Sequence, residues 1–201
     1  MEAGQGPRAV LLLHGIGANS TGWRFILHAL SDGARVIAWN APGYFLSDNL
    51  AAEAPRPEAY ADAAAALLDS LGVRGPACVV GSSFGSMVAA CLAARHPARV
   101  ERLVLLGTSR GLRWTGPEAR ARMLAMRAES VAGGGVALAR TRHGKLIAPG
   151  SAPAVGELVQ RMLAATNPRG MMQAARCMDG VDVIADFAAR IACPTLAVTC
   201  A

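Results

Sequence analysis

The chain has 201 residues, 53% of them hydrophobic and 17% charged, with 22 glycines, 11 prolines and a net charge of +6. So much apolar side chain with such frequent turn residues excludes a disordered tail, a collagen-like repeat and a coiled coil, and points to one globular domain. No apolar run reaches the roughly 18–20 residues of a membrane span, no leader pattern opens the chain, and the arginines lie among alanines without interleaved aromatics, so a cytoplasmic protein without membrane or nucleic-acid partners is expected. Cys78, Cys91, Cys177, Cys193 and Cys200 form no C-x-x-C pair and read as small hydrophobes; no metal or cofactor is expected.

In chain order, residues 10–13 are an aliphatic run halted by His14-Gly15-Ile16-Gly17, the profile of a strand buried on both faces. Residues 22–30 carry Trp23, Ile26, Leu27 and Leu30 at helical spacing, and residues 34–39 give a second strand, followed by a loop broken at Pro42, Gly43, Pro55 and Pro57. An alanine- and leucine-rich helix over 60–71 closes at Gly72; then come a strand at 76–80, a helix at 84–95 and a strand at 100–106. From about 117 to 189 only helical segments occur, and strand character returns at 194–199.

This alternation predicts the α/β class: a mostly parallel sheet of about five strands, built from residues 1–109 and 191–201, with a helical cap inserted over 110–190. Strands 34–39 and 194–199 would then be bare sheet edges, through which a homodimer is expected.

Gly81-Ser82-Ser83-Phe84-Gly85 lies between a strand and a helix, the setting of a nucleophile elbow. There Ser83 would stand at a helix N-terminus that favours developing negative charge, and Gly81 and Gly85 would admit a backbone approach too close for side chains. The plain alternative is a glycine-serine turn whose Ser82 or Ser83 merely caps the helix. Gly15 and Gly17 permit a tight turn that aims the Ile16 amide over the sheet, where with the Phe84 amide it would form an oxyanion hole. His14 itself reads as a hydrogen-bonded loop histidine, lacking the reach of a general base.

With Trp39-Asn40-Ala41-Pro42-Gly43-Tyr44, His96-Pro97, the run 100–106 and Ile191-Ala192-Cys193-Pro194-Thr195-Leu196, this order of motifs resembles the α/β-hydrolase superfamily over nearly the whole chain. Partly through residues 171–183 it looks most like the enol-lactonase and ring-cleavage-product hydrolases. The resemblance implies Ser83 as nucleophile, with Ile16 and Phe84 lending oxyanion-hole amides, and a serine-type hydrolase of a small carboxylic ester, lactone or activated C–C bond. An acyltransferase or cofactor-free oxygenase of the same fold, or a non-catalytic binding protein, are the alternatives.

Departures from the family pattern, and the cations of the inserted segment, shape four further expectations. The family places an acid after the strand at 194–199 and a histidine beyond it; the sequence given ends first, 107–115 hold no acid, and none of His14, His28, His96 and His143 matches. A site lacking its activating half, as in a truncated or frameshifted product, is therefore expected, and residues 1–8 look too few for the family's leading hairpin. Phe45 stands where a glycine is usual, so its loop should avoid a positive φ. Among Arg110, Arg113, Arg120, Arg122, Arg127, Arg140, Arg142 and Lys145, one or two are expected to bind a substrate carboxylate, the rest forming a solvated face.

Overall fold

The structure is a computed structural model describing residues 1–199; Cys200 and Ala201 lie outside the described residues. Six strands form one sheet in the order β1-β3-β2-β4-β5-β6, namely β1 (Glu2–Ala3), β2 (Ala9–Leu13), β3 (Arg35–Ala38), β4 (Ala77–Ser82), β5 (Val100–Leu106) and β6 (Thr195–Val198). β2 to β6 pair in parallel, and β1 runs antiparallel to β3.

The sheet thus has one strand more than expected, and the edge expected to be bare at β3 is closed. Glu2 and Ala3 pair with Ile37 and Val36, and the Met1 ammonium donates to the Ala38 carbonyl at 2.8 Å. A two-residue strand carries no hydrophobic period, so nothing in the sequence marks it. Of the two edges expected to pair between copies only β6 remains; among the described residues it bonds β5 alone, and its side chains are exposed.

Alternation along the strands assigns the helices to faces. Leu11, Leu13, Ile37 and Val79 point to the face covered by α2 (Pro57–Ser70) and α3 (Phe84–Arg95). α3 carries so few polar residues that Phe84 through Ala93 are buried without interruption. α2 turns Tyr60, Ala61, Ala64, Ala65 and Leu68 inward, and Tyr60 meets Phe84 edge to face at 5.0 Å. Leu12, Val36 and Ala38 face the other way, onto Trp23 and Leu27 at the start of α1 (Arg24–Leu30). Ile26 and Leu30, expected on the inner face of that helix, are exposed. The first turn, Ser20–Trp23, is 3-10, which rotates the buried face of the segment onto Trp23 and Leu27.

Between β5 and β6 the chain forms α4 (Pro117–Val131), α5 (Gly134–Arg142), α6 (Pro153–Ala164), α7 (Pro168–Asp179) and the single turn α8 (Val183–Asp186). Val131, Leu138, Ala139, Leu163 and Met171 make their shared core, against which Ile16 packs. α7 docks on the loop after β3: the Gln173 amide nitrogen donates to the Leu50 and Ala52 carbonyls at 2.7 and 2.8 Å, and Gly43 and Gly170 touch backbone to backbone. Among the described residues no helix is long and apolar enough to cross a membrane. Cys91 and Cys177 are buried as expected, whereas Cys78 and Cys193 are half-buried.

Two local expectations need correction. Pro57, read as a loop breaker, is the first residue of α2, where its missing N–H costs nothing. Phe45 does not avoid the left-handed region: its φ is +52°. The loop keeps the glycine-type path because Gly43 donates to Asp48 O at 2.7 Å and Ser47 N–H to Tyr44 O at 3.0 Å, closing the turn around it. A bulky residue held there costs about 1–3 kcal/mol, against the 0.5–1 kcal/mol that a glycine's extra freedom in the unfolded chain would cost. Phe45→Gly is therefore expected to raise the unfolding free energy by about 1 kcal/mol, read as a higher urea midpoint at unchanged m-value.

Candidate active site

The site is built where β4 turns into α3. Ser83 has φ +50° and ψ −115°, one of only two non-glycine residues with positive φ among the described residues. A side chain there is strained, and four hydrogen bonds hold it: the Ser83 amide donates to Leu106 O at 2.9 Å, while the Ser86 amide, the Ser86 hydroxyl and the Met87 amide donate to Ser83 O at 2.9, 2.6 and 3.3 Å. The Ser86 hydroxyl also accepts from the Ser109 amide at 2.9 Å, tying the turn to the end of β5. Ser86 is fully buried. Sequence reasoning passed over it, although a serine in an otherwise apolar helix, three residues past the candidate nucleophile, was a usable signal.

The flanking glycines are needed for space. A Cβ on Gly81 would strike the backbone of Gly85 and Ser86, and one on Gly85 would strike the carbonyls of Leu13 and His14. The β4–α3 turn therefore lies directly against the end of β2. A Cβ on Gly15 would be 3.3 Å from the Ser83 Cβ and 3.9 Å from its Oγ, so the loop after β2 runs alongside the hydroxyl. Gly17 holds φ +75°, turning the chain there, and Ala18 N–H closes the bend on Gly15 O at 3.1 Å. Among the described residues, neither the Ile16 nor the Phe84 amide donates to a protein acceptor.

His14 serves the frame. Its Nε2 accepts from the Ala41 amide at 3.0 Å, which leaves Nδ1 as the protonated nitrogen donating to Gly15 O at 2.9 Å. The ring is buried beneath Trp39 and edge-on to Tyr44 at 4.8 Å. Burial lowers its pKa to about 4, so it is neutral at pH 7 and both nitrogens are occupied. His96 bonds Asp62 at 2.7 Å, His143 bonds Ala139 O at 2.8 Å and His28 is exposed on α1.

Above Ser83 lies a cavity of about 300 Å³ between the β2 loop and the inserted helices, lined by Gly15, Ile16, Gly17, Ser83, Met126, Arg127, Leu138, Arg142, Leu146, Leu163 and Met171. None of the four histidines lines it. Of the eight cationic residues marked in the sequence, three are held by acids: Arg110 by Asp182, Arg113 by Asp186 and Arg120 by Asp179. Arg122, Arg140 and Lys145 are exposed. Only Arg127 and Arg142 reach the cavity.

The buried neutral His14 makes stability depend on acid. Between pH 6.5 and about 4 the unfolded imidazole binds a proton that the folded one does not, so stability falls as pH is lowered through that window. Asp62 and Asp182, held below the usual carboxylate range by hydrogen bonds from Arg95 and Arg110, add their own loss only below pH 3.8. Urea titrations from pH 7 to 4 are expected to show a slope approaching about 1.4 kcal/mol per pH unit that flattens in His14→Gln.

Comparison with known proteins gives this geometry its family. The alpha/beta hydrolase fold matches residues 8–169. A 2-hydroxy-6-oxononadienedioate/2-hydroxy-6-oxononatrienedioate hydrolase of Burkholderia vietnamiensis is 38% identical over 114 residues, covering 55% of this chain and 39% of that protein. The chain thus spans about two fifths of the length of such curated relatives. A hydrolase from Pseudomonas aeruginosa superposes with a TM-score of 0.82 at 30% identity, over 99% of this chain and 74% of that one. A thermophilic esterase from Thermogutta terrifontis superposes with a TM-score of 0.85 at 28% identity, over 98% and 72%. The match over residues 8–169, on a sheet whose β4–α3 turn carries a strained serine between two obligatory glycines, establishes that the chain belongs to the α/β-hydrolase family and is related to its hydrolases and esterases.

Proposed function

We propose that this chain carries the nucleophile and oxyanion hole of a serine-type hydrolase acting on a small carboxylic ester, lactone or activated C–C bond. The observation that carries the reading is Ser83 at positive φ, beside a glycine loop and two amides without protein acceptors. Ser83 Oγ adds to the carbonyl carbon, the carbonyl electron pair moves to oxygen, and the Ile16 and Phe84 N–H groups hold the oxyanion. Collapse of the adduct breaks the bond to the leaving group, which takes up the proton given by the Ser83 hydroxyl and departs as an alcohol or a C–H product, and water then adds to the acyl-serine to release the acid and restore the hydroxyl. The hydroxyl proton needs an acceptor during addition. His14, with both nitrogens engaged and its pKa near 4, is unsuited to take it.

The inserted helices serve as a cap in this reading, since α4, α5, α6 and α7 each contribute to the roof of the cavity. The Burkholderia vietnamiensis relative is named for a dioate substrate, and a carboxylate-bearing small molecule is carried over to this chain on that likeness.

A fluorophosphonate is expected to label the chain once, at Ser83 by mass spectrometry of the digest, with labelling abolished in Ser83→Ala. An unlabelled Ser83 in folded protein would remove the nucleophile from this reading.

A further inference from the structure

The two edges of the sheet are built differently. β1 closes one of them with two residues, and its Glu2 is ion-paired with Arg35, so that edge is short and charged. β6, at the other edge, has four residues with no charge and no proline among them. Sheets blunt their free edges with charge, proline or brevity, and β6 has only modest length to protect it.

Register divides the hydrogen-bonding groups of β6 between its two sides. The Leu103 amide donates to Pro194 O at 3.0 Å and the Gly107 amide to Val198 O at 2.8 Å, so Pro194, Leu196 and Val198 face β5. Thr195 and Ala197, between them, turn N–H and C=O to the open side, where nothing among the described residues bonds them. The side chains of Leu196 and Val198 share the sheet face of Val104 and Leu106, the face away from α2 and α3. They are 58% and 41% exposed.

We propose that β6 pairs with β6 of a second copy of this chain, antiparallel about a two-fold axis at Ala197. That axis makes the two Ala197 residues a hydrogen-bonded pair, each using the outward N–H and C=O of the other. It also sets Leu196 opposite Val198 of the second copy in a non-hydrogen-bonded pair, where side chains approach most closely. The apolar row Val80, Val104, Leu196 then continues into Val198 of the second copy, and symmetry repeats it. With no charge in either strand, self-pairing creates no like-charge contact, whereas a charged partner strand would lay its charge against leucine and valine. The contact is one short strand, well below the about 1,600 Å² of a standard interface, so the association is weak. Each copy offers one such edge, so it closes at two copies.

Sedimentation equilibrium of the full chain from about 1 to 200 µM is expected to fit a monomer–dimer equilibrium with Kd on the order of 10 µM and no larger species. Ala197→Pro removes the outward N–H at the axis, a change a free edge tolerates, and Leu196→Lys sets a charge against Val198 of the second copy. Each is expected to raise Kd at least tenfold while melting like the wild type at low concentration. Ile184→Lys, at an exposed isoleucine on α8, is expected to leave Kd unchanged. Hydrogen exchange needs no variant: the β6 amides of the wild type are expected to exchange about fivefold more slowly at 200 µM than at 1 µM. A chain still monomeric at 200 µM, assembly beyond the dimer, a dimer that either β6 variant leaves intact or that Ile184→Lys weakens equally, or β6 exchange independent of concentration would each overturn the pairing.

Discussion

The geometry of the site depends on one close backbone contact. Gly85, in the first turn of α3, lies against the carbonyls of Leu13 and His14 at the end of β2, and Gly81 lies against Gly85. No side chain fits at either place, so the two central parallel strands end side by side and their following loops share one space. Ser83 is forced into its strained conformation by this contact, and the strain is held by Ser86, whose hydroxyl ties the Ser83 carbonyl to the Ser109 amide. His14 supports the same contact from below by joining the loops after β2 and β3 through Gly15 and Ala41. The site is therefore set by backbone packing, with buried polar groups as its braces.

What the sequence revealed follows from range. Strands β2, β4 and β5 and helix α3 announce themselves through local runs of apolar residues, and the glycines at 81 and 85 through their spacing around a serine. What it concealed depends on contacts made elsewhere in the chain. β1 exists because residues 2 and 3 find the free edge of β3. Phe45 takes a glycine's conformation because the hydrogen bonds of Gly43 and Ser47 close the turn around it, overriding its own preference. Ile26 and Leu30 keep helical spacing yet face outward, since a 3-10 turn ahead of them gives the inner face to Trp23 and Leu27. Arginine roles are the extreme case: in sequence Arg110 and Arg127 look alike, and only the fold brings Asp182 to one and none to the other.

The distribution of counter-charges then separates architecture from recognition. Asp179, Asp182 and Asp186 all lie between the end of α7 and the end of α8, and they take Arg120, Arg110 and Arg113 respectively. These pairs fasten the segment that leads into α4 to the segment that leaves α7, closing the insertion on itself where it departs from and returns to the sheet. Glu53 likewise receives Arg169 and Arg176 and fixes α7 to the loop after β3. With these acids committed to the seams, the cations over Ser83 have no protein partner among the described residues, although the formal charge of +6 leaves few acids to spare. If Ser83 acts as proposed, binding energy taken from parts of a substrate remote from the reacting carbonyl would help hold that carbonyl against a turn already positioned by packing. The two sides of the cavity thus differ in kind: the sheet side is fixed by backbone packing around Ser83, and the inserted helices bring the cationic side chains of Arg127 and Arg142 to its lining.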